Sequence, residues 1–167
     1  MKVALFDYGA GNLHSLGKAL SRGARVGIAS DPVHVLDADA LVLPGVGAFG
    51  AAAERLAPAA DAIRDAVRNG FPVLGICLGM QLLFDASDEG AGAGLGIIPG
   101  RVRRLEARRV PHMGWNLVRP VAEDPVVPAP LEAYFANSYV CAPVHEDDVI
   151  AATDYEGPFA AAVRRDR

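Results

Sequence analysis

Residues 72–86, PVLGICLGMQLLFDA, decide how the chain is read. Pro72 to Ile76 is a short apolar, β-prone run that leads straight into Cys77, and residues 79–86 then take up helical character. The junction Gly75-Ile76-Cys77-Leu78-Gly79 has the form G-x-C-x-G, the cysteine counterpart of the G-x-S-x-G nucleophile elbow. A nucleophile on so sharp a turn holds a strained backbone. Glycines two residues to either side let that turn pack against other backbone. The sulfur sits near a helix N-terminus, where the dipole is expected to lower the thiol pKa. The Leu78 N–H is expected to face a developing oxyanion. Most cysteines at strand ends are inert core. The elbow sets Cys77 apart, whereas Cys141 has no such context and reads as structural.

Outward from the elbow, the first half alternates strands and helices. Residues 2–7 (KVALFD) read as a buried strand that ends at Gly9 and Gly11. Leu13, Leu16 and Leu20 give residues 12–22 a helical face. Residues 24–29 and 39–43 read as second and third strands, and Pro44-Gly45 breaks the chain. Residues 50–69 are Ala-rich and helical, kinked or divided at Pro58. This order predicts an α/β fold with a mostly parallel central sheet flanked by helices and joined by right-handed crossovers. The second half differs. Residues 101–106, 113–118, 133–140, 148–153 and 159–165 are short β-prone runs, expected to pair as antiparallel or mixed strands. Residues 90–96 (GAGAGLG) read as a loop. No Pro-, Ser- or charge-rich linker divides the chain, so residues 1–167 are expected to form one domain.

Composition narrows the function. The chain has 167 residues, 51% hydrophobic and 22% charged, too apolar for a disordered segment. No run approaches ~18 uninterrupted apolar residues, so no transmembrane helix is expected. The N-terminus lacks signal-peptide character, which points to the cytoplasm. A formal charge of -4 gives no electrostatic case for nucleic acid or an anionic membrane. Two cysteines cannot build a disulfide framework. The four histidines, His14, His34, His112 and His145, are scattered, so no metal site and no cofactor is expected.

Four runs, in order, carry a resemblance: Asp7-Tyr8-Gly9-Ala10-Gly11-Asn12-Leu13, Pro44-Gly45-Val46-Gly47-Ala48-Phe49, Gly75-Ile76-Cys77-Leu78-Gly79-Met80-Gln81, and Pro111-His112-Met113-Gly114-Trp115-Asn116. The third resembles the nucleophile motif of the class I, triad-type glutamine amidotransferases, a flavodoxin-like family. Together the four are similar to the glutaminase subunits of imidazole glycerol phosphate synthases, across essentially the whole chain. The resemblance implies hydrolysis of L-glutamine to glutamate and ammonia through a thioester on Cys77. It implies an oxyanion hole from the Leu78 N–H and the loop at Val46 and Gly47, whose peptide is able to turn over. It places Gln81 against substrate glutamine, on the helix face of the nucleophile, and Ser138 and Tyr139 near the amino-acid end. Asn137 stands where His is expected in this family. Asn12, His112, Trp115 and Asn116 match positions at or near the interface with a (β/α)8-barrel cyclase, which receives the ammonia in histidine biosynthesis. Trp115 fits an interface anchor or a core residue equally well.

The family draws its general base and carboxylate from a late His-Pro-Glu run, which is not among these 167 residues. Residues 159–167 (FAAAVRRDR) read as a strand and the start of a turn. The expectation is therefore a C-terminally shortened chain with glutamine hydrolysis lost or severely impaired. His145, beside Glu146 and Asp147, imitates a His–carboxylate pair but reads as surface loop. Two other readings stay open: the glutaminase of another synthase, such as that of pyridoxal phosphate synthesis, and a non-catalytic regulatory subunit.

Overall fold

Alternation of apolar residues along the first strands sets up two buried faces. The computed structural model describes residues 1–9 and 11–165. In it, β1 (Lys2–Phe6), β2 (Arg25–Ala29), β3 (Ala40–Leu43) and β4 (Val73–Gly75) form a parallel sheet in the order β2-β1-β3-β4. Val3, Leu5, Ala40 and Val42 point to one side and meet Leu13, Leu16 and Leu20 of α1 (Leu13–Leu20). Ala4, Phe6, Leu41 and Leu43 point to the other. There they pack with Phe49 and Leu56 of α2 (Phe49–Leu56) and Ile63 of α3 (Ala60–Arg68). A short 3-10 turn, Ala57–Ala59, carries Pro58 and separates α2 from α3. The proline removes an amide donor and thereby divides the helical run.

The second half forms a seven-stranded sheet in the order β5-β6-β9-β11-β10-β7-β8. Its strands are β5 (Ala86–Ser87), β6 (Gly100–Arg104), β7 (His112–Pro120), β8 (Leu131–Asn137), β9 (Tyr139–Pro143), β10 (Val149–Asp154) and β11 (Pro158–Val163). All its pairings are antiparallel except β5 with β6. The α/β architecture and the change to antiparallel pairing match the sequence reading. The expected single strand at 133–140 is instead two, β8 and β9. They break at Ser138, whose carbonyl accepts from the Leu105 N–H at 2.9 Å. The expected turn at the end of 159–167 falls partly on Asp166 and Arg167, and Ala10 of the opening run is likewise outside the described residues.

The helix expected over 79–86 is cut short. Only α4 (Leu78–Gln81) forms, because the loop that follows takes the next carbonyls away from helical pairing. Leu95 N–H donates to Leu82 at 2.7 Å, Ile97 and Ile98 donate to Leu83 at 2.9 and 3.0 Å, and Gly96 donates to Phe84 at 3.2 Å. Gly94 lies so close to the Phe84 carbonyl that a Cβ there would overlap it, while nothing stands within 4 Å of a Cβ at Gly90. Gly94→Ala is expected to destabilise the fold by about 1–3 kcal/mol, the usual cost of forced overpacking. Gly90→Ala should stay within about 0.5 kcal/mol of the parent. Urea unfolding midpoints measure both, and equal midpoints would contradict this account of the helix break.

Candidate active site

The elbow is held by backbone lying on backbone. Cys77 has φ 51° and ψ -106°, in the left-handed region that a side-chain-bearing residue adopts at a cost of about 1–3 kcal/mol. Ile76 N–H donates to the Leu43 carbonyl at 3.0 Å, Gly79 N–H to Ile76 at 2.9 Å and Gln81 N–H to Cys77 at 3.1 Å. A Cβ at Gly75 would overlap the Gly79 carbonyl, and one at Gly79 would overlap the Leu43 carbonyl. These two glycines let β3, β4 and α4 meet at main-chain distance, and that contact fixes the turn. Gly45 closes from the side: a Cβ on it would stand 3.0 Å from the Ile76 oxygen and 3.2 Å from Cys77 Cβ.

Cys77 is exposed at a cavity of about 920 Å3 between the two sheets. Gln81, Asn137, Tyr139 and Cys141 line the same cavity. The surrounding protein pushes the Cys77 thiol above its ordinary value. The Leu78 N–H hydrogen bond opposes this, and the negative charge of Glu89 adds to it. The expected helix-dipole lowering is thus outweighed: α4 is a single turn, too short for much of a dipole, and desolvation disfavours the thiolate. Cys141 is buried, with its thiol pushed up to about 12 by burial and then by Cys77. Burial disfavours its thiolate, the reactive form.

The structure separates the other sequence-derived residues. Leu78 is the first residue of α4, directly after Cys77, and its side chain is buried. Gln81 is buried one turn on and lines the cavity. Tyr139 lines it too, whereas Ser138 is not among the lining residues. Asn137 donates through Nδ2 to the Tyr139 carbonyl at 3.2 Å, and its buried Oδ1 has no partner. In the loop after β3, Gly45 touches Cys77 Cβ; Val46 is 56% exposed and Gly47 has φ 133°. His145 is exposed and does not line the cavity.

Among the residues matched to an interface, Asn12 is exposed and caps α1, its Oδ1 accepting from Ser15 N–H at 3.1 Å. Trp115 is 70% exposed and meets Tyr134 edge-on across β7 and β8, which excludes the core alternative. His112 and Asn116 are placed differently from Trp115. His112 is buried on the inward side of β7, its ring 4.0 Å from that of Tyr155 and 5.1 Å from that of Phe135. Asn116 is half-buried, donating to the Asp154 carbonyl at 2.7 Å and accepting from Leu117 N–H at 2.8 Å. Side chains alternate along a strand, so Met113 and Trp115 face out while His112 and Asn116 face in. Sequence reasoning missed Glu89, which accepts from Phe49 N–H at 2.9 Å and acts electrostatically on Cys77. A lone glutamate 12 residues past the cysteine carries no local signal.

The family model "Glutamine amidotransferase class-I" matches residues 4–167. The chain belongs to the class I glutamine amidotransferase family. It is 45% identical to the imidazole glycerol phosphate synthase subunit HisH of Halobacterium salinarum, over 98% of this chain and 80% of that protein. It is 45% identical to the HisH of Moorella thermoacetica, over 98% and 81%. With the Gloeobacter violaceus HisH it shares 46%, over 98% and 77%. Among solved structures, it is similar to a crystal structure of a glutamine amidotransferase with TM-score 0.72 and 19% identity, over 89% of this chain and 78% of that one. A glutamine amidotransferase from Thermotoga maritima gives TM-score 0.62 at 15% identity, over 98% and 73%.

The thiol's environment generates a pH prediction. Because burial and Glu89 raise its pKa in this chain, alkylation of Cys77 by iodoacetamide should rise with a midpoint above that of a free cysteine, ~8.5. Mass spectrometry of the Cys77 peptide across pH checks it; a midpoint well below that of a free thiol would contradict the desolvation account.

Proposed function

We infer that this chain is the glutaminase subunit of an imidazole glycerol phosphate synthase, hydrolysing glutamine and handing ammonia to a cyclase subunit in histidine biosynthesis. The observation that carries the chemistry is Cys77, held at φ 51° between Gly75 and Gly79 at the start of α4 and open to the cavity. In the proposed reaction the Cys77 thiolate attacks the side-chain carbonyl carbon of glutamine, forming the C–S bond. The carbonyl electrons shift to oxygen, which takes the Leu78 N–H and a second donor from the Val46–Gly47 peptide. The C–N bond then breaks, the nitrogen leaves protonated as ammonia, and a glutamyl thioester remains. Water attacks the thioester, and glutamate and the thiol are released. Gln81 and Tyr139 line the cavity where glutamine would lie.

Proton transfer in this scheme needs a base. None of His14, His34, His112 and His145 lines the Cys77 cavity. No His–carboxylate pair is therefore assigned among the described residues. The cyclase, of (β/α)8-barrel form, is proposed to dock on the outward face of β7 and β8, where Trp115, Tyr134 and Met113 are exposed. Asn12, at the exposed start of α1, extends that contact in the proposal. Gly11, next to Asn12, lies beside the loop after β3: a Cβ on it would stand 3.6 Å from Val46 Cβ.

Two measurements test this. In the complete synthase, Cys77→Ala should abolish glutamine-dependent turnover and spare ammonia-dependent turnover; loss of both contradicts ammonia transfer. Glutamine turnover by the 167-residue polypeptide with its cyclase should be severely impaired; ordinary turnover would instead place the base among the described residues. For the interface, Trp115→Ala should weaken cyclase binding by about 2 kcal/mol, roughly thirtyfold in Kd. Unchanged affinity by titration calorimetry would move the interface elsewhere.

A further inference from the structure

The loop after β3 ends on a helix that lacks its own cap. Ala48 precedes α2 and offers no side-chain acceptor to the first-turn amides. The acceptor comes from forty residues away: Glu89 Oε2 takes the Phe49 N–H at 2.9 Å. Glu89 is itself oriented by buried Ser87, whose Oγ accepts the Glu89 N–H at 3.1 Å. The chain beyond it lies across the first turn of α2, so that a Cβ at Gly50 would stand 2.7 Å from the Ala91 oxygen. At its other end the loop is held by Gly45 against Ile76 and Cys77. Between the two anchors only Val46, Gly47 and Ala48 remain, with Val46 largely exposed and Gly47 in the left-handed region.

We propose that Glu89 is a positioning residue for the oxyanion loop: it stands in for the missing cap of α2 and confines the loop's freedom to the Val46–Gly47 peptide. The role given to the loop rests on the glutaminase reading, whereas the clamp itself rests on the hydrogen bonds above. The same carboxylate stands near enough to Cys77 for its charge to disfavour the thiolate. The hydrogen bond to Phe49 acts on the donor loop, and the charge of the carboxylate adds to the burial that raises the Cys77 thiol. Glutamine at position 89 keeps an oxygen acceptor for Phe49 and removes the charge; alanine removes both.

The test compares the parent chain, Glu89→Ala and Glu89→Gln by amide hydrogen exchange and by the pH profile of Cys77 alkylation. In Glu89→Ala, exchange over residues 46–50 should quicken at least tenfold while β1 and β3 keep their protection. Glu89→Gln should restore that segment to within about threefold of the parent. In both variants the alkylation midpoint should move to lower pH, a shift that a purely structural cap would not produce. Unchanged exchange over 46–50 in Glu89→Ala overturns the clamp, as does failure of Glu89→Gln to restore protection. An unmoved midpoint in both variants overturns the electrostatic half. The exchange readout needs no turnover, so the clamp can hold even if the glutaminase reading fails.

Discussion

The structure depends on one close approach of main chain to main chain. The Leu43 carbonyl accepts the Ile76 amide and occupies the space a side chain at position 79 would need, while Gly75 sits against the Gly79 carbonyl. This contact joins β3, β4 and α4 at a point where no side chain separates them. It over-determines the backbone between, and Cys77 is left with a positive φ that its own preferences oppose. The strain is offset by the hydrogen bonds of the strand and the first turn of α4. Its result is a sulfur that projects from a rigid corner into the cavity.

Much of this was legible because it rests on local rules. Glycine spacing about Cys77, the apolar runs of β1 and β3 and the break at Pro58 each carry their physical reason in the sequence itself. What was not legible comes from contacts between distant segments. Leu82, Leu83 and Phe84 have helical character, yet loop residues 95–98 take their carbonyls and end α4 after one turn. The same shortness removes most of the dipole that would have lowered the thiol pKa. Glu89 is invisible locally because its partner, Phe49, lies forty residues earlier.

Strand alternation explains the mixed fate of the Pro111–Asn116 run. The pattern itself divides its residues into two sets; which set is covered depends on β8, β10 and the aromatic side chains of Tyr155 and Phe135. His112 and Asn116 pack on the inward side of the sheet, and Met113 and Trp115 are left outward as an apolar and aromatic surface beside Tyr134. One strand thus serves the fold on one side and supplies a face suited to a partner on the other. The loop at Pro44–Ala48 has a comparable double character, pinned at Gly45 and Phe49 with exposed Val46 and the positive-φ Gly47 between.

The central claim is that Cys77 is a nucleophile shaped for glutamine, not one of two ordinary thiols. The most direct measurement is labelling with a chloroketone analogue of glutamine, read by intact and peptide mass. The account predicts a single adduct on Cys77, none on buried Cys141, and slower labelling when free glutamine is added. Equal labelling of the two cysteines, or a Cys77 rate indifferent to glutamine, would contradict it.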